Sequence, residues 1–224
     1  MTHYPVLTCY PIRTCISRPF PPWLGDCIEW LDIHDIHTHL SRVIEFGNDN
    51  GLRNELFDKY SSLFSQFEFI KNIGNKAHLN SSLYTFRHTP INANPWAVTL
   101  SIAKLGLYLP SGQLLLHGGG FEQLCHKIGE QYVTELPLST TLCPEIAVYF
   151  SDRHMDGYLG EIQVISVTEQ AKTKAVILTN KPDLDMKHEM EVLVEAGAKL
   201  VYDSEYYING VGQRQYKISH LRLV

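Results

Sequence analysis

The sequence predicts an α+β protein, a helical N-terminal lobe packed on a β-rich C-terminal core, and three observations predict it. Apolar residues recur at helical spacing through most of the first hundred residues. After Leu109 the segments become short and β-like, separated by glycine or polar breaks. A turn signal, Pro110-Ser111-Gly112, stands between the two textures. Helices followed by strands in separate runs make an α+β fold. A chain of 224 residues can bury one sizeable core, so the boundary near Leu109 is read as dividing lobes of a single domain.

The elements follow in order. Residues 1–22 are rich in proline and lack a periodic pattern, which predicts an irregular or extended arm. From Pro22 to Gly47 the apolar residues Leu24, Ile28, Leu31, Ile36, Leu40, Val43 and Ile44 fit a helix, with Gly47 and Asn48 able to stop it. A second helical run carries Leu52, Leu56, Tyr60, Leu63, Phe67 and Ile70, with Gly74 as its stop. A third starts near Pro95, a residue suited to a first helical turn. Strands are expected at Gln113–His117, Glu161–Val167, Val176–Leu178, Glu189–Val194, Lys199–Ser204 and Gln215–Leu223. The domain is therefore expected over residues 23–224, with the helical lobe over about 23–109 and the β core over about 110–224.

Composition narrows the function classes. At 44% hydrophobic and 19% charged the chain reads as globular. A net charge of −5 argues against a general affinity for nucleic acid or anionic membrane. No window approaches the eighteen apolar residues of a membrane helix. The N-terminus lacks the continuous apolar core of a standard signal peptide. Five cysteines, an odd number without a C-x-x-C pair, point to reduced thiols in a cytosol-like compartment.

Three pieces of the second half carry chemistry. His117 ends an apolar strand and opens into Gly118-Gly119-Gly120, where a flat ligand can approach the backbone. Ser139-Thr140-Thr141 places three hydroxyls where a strand is expected, before the apolar run Ala147-Val148-Tyr149-Phe150. Glu189 and Glu191 stand two apart on a predicted strand, so alternation would put both carboxylates on one face with Met190 on the other. Each piece also has a plain structural explanation: a satisfied histidine, a polar strand face, a solvated pair of acids.

In this order the three pieces resemble the mono-ADP-ribosyltransferase superfamily. Its members carry a strand-end Arg or His, a Ser-Thr-Ser strand with a following A-x-x-F, and an E-x-E or Q-x-E pair. The resemblance covers about Trp96 to Val224 and extends through the run Glu191–Leu200. It implies an NAD-binding core of two mainly antiparallel sheets. It also implies NAD as substrate, no metal, and transfer of ADP-ribose to a target protein in preference to nucleic acid. Glu191 would stabilise the oxocarbenium-like state, and Ser139 would hold its carboxylate. Thr140 and Thr141 would support the strand or touch the ligand. His117 would bond a ribose hydroxyl and Gly118 would clamp the nicotinamide amide. Tyr149 or Phe150 would supply an aromatic wall, a core position being favoured for Phe150, and Glu189 would orient or deprotonate the acceptor. Stand-alone members without a signal peptide are often toxins or injected effectors of bacteria or phages. His117 departs from the Arg usual in arginine-modifying members, which leaves the acceptor residue type open.

A rival reading starts from Asp35-Ile36-His37-Thr38-His39, a D-x-H-x-H pattern of metal-dependent hydrolases, with His34 beside it. Strand alternation would aim both histidines at one metal, whereas a helix separates them by about 200°. The segment carries helical periodicity, and such hydrolases are typically barrels of about 250 residues. A third class is a binding module of the same fold without activity, against which an intact Glu191 argues.

Overall fold

The computed structural model describes residues 3–16, 29–47, 50–120, 127–154, 157, 159–178 and 190–224. The first elements are strands: β1 (Ile12–Ile16) and β2 (Glu29–Ile33), paired antiparallel from Ile12↔Ile33 to Ile16↔Glu29. Within the described part of the arm, Ile12–Ile16 is strand, and Tyr4, Leu7 and Ile12 are buried in the main core. The helix expected from Pro22 onward is corrected here. Its described first part, Glu29–Ile33, is strand, because a short apolar run is compatible with either period and the cross-strand partner decides it.

Helix α1 (Ile36–Phe46) begins at Asp35, whose carboxylate accepts the Thr38 amide at 2.8 Å. Such a cap stabilises a helix start by roughly 1 kcal/mol. Gly47, at φ 87°, ends it. Helices α2 (Asn50–Ser65) and α3 (Glu68–His78) divide the second helical run, and Gly74 lies buried within α3, where a stop was expected. Helices α4 (Ser81–His88) and α5 (Pro95–Leu105) start at Asn80 and Asn94, each accepting two backbone N–H groups. Pro95 stands in the first turn, as expected.

The β half forms one continuous nine-stranded sheet. Its strands are β3 (Leu107–Tyr108), β4 (Leu114–Gly118), β5 (Gln131–Val133), β6 (Leu138–Thr141), β7 (Leu159–Val167), β8 (Lys174–Ile177), β9 (Glu191–Val194), β10 (Lys199–Asn209) and β11 (Gln215–Leu223). The order is β3-β8-β9-β6-β4-β7-β11-β10-β5, antiparallel throughout except for the parallel pair β7–β11. The predominantly antiparallel character is the expected one. The two expected sheets are two halves of this sheet, joined where β4 and β6 pair only at Leu116↔Thr141. Helix α6 (Pro144–Arg153), which is not among the expected elements, carries the run Ala147–Phe150. Pro144 in its first turn and apolar residues buried along it account for the helix.

Alternation sends Leu115 and Leu116 to opposite faces of β4. On the Leu115 face the sheet packs against the N-terminal segment and α2, through Leu52, Leu56 and Tyr60. On the Leu116 face α1 and α6 cover β4, β7 and β11, with Leu40, Ala147 and Ile162 in contact. Helices α3, α4 and α5 cover β8 and β9 through Ala77, Leu83, Ile102 and Leu193. Among the described residues no helix is long and apolar enough to cross a membrane.

Candidate active site

The narrow junction of β4 and β6 opens the site. Beyond Leu116↔Thr141 the two strands no longer pair, and His117 bridges them by a side chain. Its Nδ1 lies 2.7 Å from the Ser139 carbonyl oxygen. A carbonyl only accepts, so Nδ1 carries the proton and Nε2 is the ring's acceptor. Burial lowers the His117 pKa, against the raising effect of the Ser139 bond, and keeps the imidazole neutral at neutral pH.

Register then places the acid. Thr141 pairs with Glu191 and Ser139 with Leu193, so Ser139, Thr141 and Glu191 share one face of the β6–β9 pair. The Ser139 hydroxyl donates to Glu191 Oε1 at 2.6 Å. Glu191 Oε2 lies 3.6 Å from Nε of Arg87, which enters from the last turn of α4. These two side chains are only 7% and 8% exposed for Arg87 and Glu191 respectively. Burial raises the Glu191 pKa, and the Ser139 bond, Arg87 and His88 pull it back. The carboxylate is therefore poorly hydrated, held on one oxygen and faced by a cation on the other.

The other hydroxyls brace the frame. Thr140 donates to the Val192 carbonyl at 2.6 Å, locking β6 to β9. Thr141 Oγ1 accepts the Cys143 amide at 3.0 Å, fixing the entry to α6. Gly118 is required for a reason apart from ligand approach. A Cβ there would lie 1.9 Å from the Ala147 carbonyl oxygen and 2.9 Å from the Ser151 nitrogen, so α6 rests on the bare backbone.

These residues converge on a cavity of about 720 Å3, a volume suited to a small-molecule or cofactor ligand. His117, Gly118, Ser139, Thr140, Thr141, Tyr149 and Glu191 all line it. Phe150 does too, while also packing against the main core. Tyr149 is half exposed, with the Arg153 guanidinium 5.2 Å from its ring centre. Glu189 lies outside the described residues. β9 begins at Glu191, preceded by Met190 at φ 45°.

Sequence reasoning missed the basic lining: Arg53 from α2, Arg87 and His88 from α4, and Arg153 and His154 at the end of α6. They belong to no motif and come from three separate helices. Cavity acids are fewer, Glu191 and Glu145, and Glu145 is already paired with His39 at 2.9 Å. The cavity thus presents net positive charge, with an acid at one point.

The residues of the rival metal reading go three ways. Asp35 caps α1, His37 stacks on His220 with ring centres 5.2 Å apart, and His39 is fully buried between the Tyr10 hydroxyl and Glu145. Helical geometry separates the two histidines, as the periodicity implied. Among the described residues no group of three or more His, Cys, Asp or Glu side chains is placed to hold a metal. Cys9 and Cys143 are free thiols, and burial pushes both up in pKa.

No family model matches the chain. No curated protein matches its sequence. Solved structures do overlap with it. One is Plx2a, an ADP-ribosyltransferase toxin from Paenibacillus larvae, at 14% identity and TM-score 0.42, over 81% of this chain and 99% of that one. Another is Vis toxin, an ADP-ribosyltransferase from Vibrio splendidus, at 13% identity and TM-score 0.44, over 78% and 86%. A third is BECa, an ADP-ribosylating toxin of a binary enterotoxin of C. perfringens solved with NADH, at 13% identity and TM-score 0.45. It is matched over 81% of this chain, which spans half of the BECa chain.

Proposed function

We propose that the chain is an NAD-dependent mono-ADP-ribosyltransferase that modifies a side chain of a target protein, acting as a bacterial or phage toxin or effector. The observation that carries this is Glu191: a desolvated carboxylate on a strand, held by the Ser139 hydroxyl, inside a cavity whose charged side chains are mostly basic. NAD joins a dianionic pyrophosphate to a cationic nicotinamide riboside, and its charge pattern matches that cavity. Arg53 and Arg153 offer guanidinium donors to the pyrophosphate. Tyr149 offers a flat face to a ring, His117 an acceptor nitrogen to a ribose hydroxyl, and Glu191 a negative charge to the riboside.

The bond from ribose C1 to the nicotinamide nitrogen breaks, and its electron pair leaves with nicotinamide, which becomes neutral. The ribose ring takes the positive charge as an oxocarbenium-like species. Glu191 stabilises that charge where water cannot dilute the interaction. An acceptor lone pair then bonds to C1, and the acceptor proton passes to Glu189 or to solvent.

The test is incubation of the purified protein with adenylate-labelled NAD and a cell lysate after chelator treatment. Release of free nicotinamide together with a labelled protein band supports the proposal. Nicotinamide release without a band leaves an NAD glycohydrolase and removes the transferase. No release at all indicates an inactive module of this fold, and activity lost on chelation and restored by zinc or manganese indicates the metal-dependent hydrolase.

A further inference from the structure

Arg87 stands where substrate charge must arrive. Its Nε lies 3.6 Å from Glu191 Oε2, while Ser139 occupies Oε1. The pair is almost wholly buried, so neither charge is balanced by water. A guanidinium against this oxygen supplies the electrostatic counterpart that a ribosyl cation would supply later. Two cations cannot share one carboxylate oxygen without repelling each other.

We propose that Arg87 is a positioning residue that serves as the resident counter-ion of Glu191 in the empty cleft and yields the carboxylate to the cationic nicotinamide riboside, a counter-ion exchange. This rests on the NAD reading above. The other groups facing Glu191 do not duplicate the role. Ser139 is neutral, and His88 acts on the carboxylate after Arg87 in strength. His117 is bound to the Ser139 carbonyl, and Arg53, Arg153 and His154 line the same cavity from α2 and the end of α6, whereas among the described residues the ion pair of Glu191 is with Arg87. Arg87 also sits in the last turn of α4, where a cation is favoured by the helix dipole, so the resting position is held from both sides.

The exchange predicts a charge-specific effect. NAD and NADH share the pyrophosphate and both riboses but differ in the charge of the nicotinamide ring. Binding is measured by calorimetry at pH 8 for the wild type, Arg87→Met, which keeps the buried aliphatic stem, and Arg87→Lys, which keeps the charge. In Arg87→Met the uncompensated Glu191 should favour NAD over NADH several-fold more than the wild type does, and Arg87→Lys should restore the wild-type ratio. If both dinucleotides weaken by the same factor, Arg87 is a phosphate ligand and the exchange is overturned. An unchanged ratio overturns it as well.

If the wild type binds neither dinucleotide, the NAD reading fails and the exchange fails with it. The ion pair is then judged separately, by carboxyl NMR titration of Glu191. A titration moved upward in Arg87→Met and not in Arg87→Lys keeps Arg87 as the counter-ion, and an unmoved one removes it.

Discussion

The two walls of the cleft are built on different principles. The sheet wall places Ser139, Thr141 and Glu191 by strand register, so hydrogen bonds that run through the backbone ladder fix their separation. The helical wall reaches in with long side chains, Arg53 from α2, Arg87 from α4 and Arg153 from α6, each on its own element. Register defines positions closely, which suits the charge-stabilising role proposed for Glu191. Long cationic side chains on separate helices suit binding and charge balance. The division suggests that substitutions on the sheet wall act on the chemical step and those on the helical wall act on binding.

Outside Glu191 itself, the largest effect is expected at Ser139. Ser139→Ala removes a hydrogen bond to a carboxylate, worth about 1.5–3 kcal/mol, or roughly 10- to 100-fold in kcat/KM for nicotinamide release. It also shifts the pH profile. Glu191 has a raised pKa in the fold and acts ionised in the proposed mechanism, so that mechanism predicts that activity falls as pH drops through a value above the ordinary carboxylate one. The Ser139 bond lowers that value, so its loss should move the acid limb to higher pH. An unmoved limb would separate Glu191 from the rate.

Gly118→Ala comes next. The new methyl would collide with α6, and overpacking of this kind costs about 1–3 kcal/mol of stability, read by urea unfolding. Wild-type stability in this variant would mean that α6 can move off the strand freely. Asp35→Ala should cost roughly 1 kcal/mol through loss of the α1 cap, with unaltered NAD turnover. Loss of turnover with full stability would revive the metal reading. His117→Ala should cost a similar amount, about 0.5–1.5 kcal/mol, on NAD use with the fold retained. Turnover equal to wild type at every NAD concentration would make His117 structural only.

The same contrast explains what the sequence disclosed. The sheet wall was legible because each of its residues sits in its own short local pattern, His117 before three glycines, Ser139 in a hydroxyl run and Glu191 in an E-x-E pair, although strand pairing brings them together from 22 and 52 residues apart. The α5 start at Asn94-Pro95 was legible for the same reason, since capping is local. The basic wall was not, because Arg53, Arg87 and Arg153 are isolated arginines whose convergence depends on how three helices pack on the sheet. The strand β2 escaped because its pairing with β1, not its own periodicity, determines it. The helix α6 escaped because an apolar tetrapeptide, Ala147–Phe150, fits a buried strand and a buried helix equally well. His39 was visible as a residue and misleading as a motif, since its burial against Glu145 and Tyr10 is a tertiary fact.

The most direct measurement is a pair of assays, free nicotinamide release and acceptor labelling, on Glu191→Gln and Glu189→Gln. Gln at 191 keeps size and hydrogen bonding but removes the charge. Losing one such electrostatic group typically costs about 10²–10³ in rate, so both activities should fall together by that factor. Glu189→Gln should lose labelling and retain slow hydrolysis of NAD, because water needs less activation than an oriented side chain once the cation has formed. Near-normal nicotinamide release by Glu191→Gln would contradict the account at its centre.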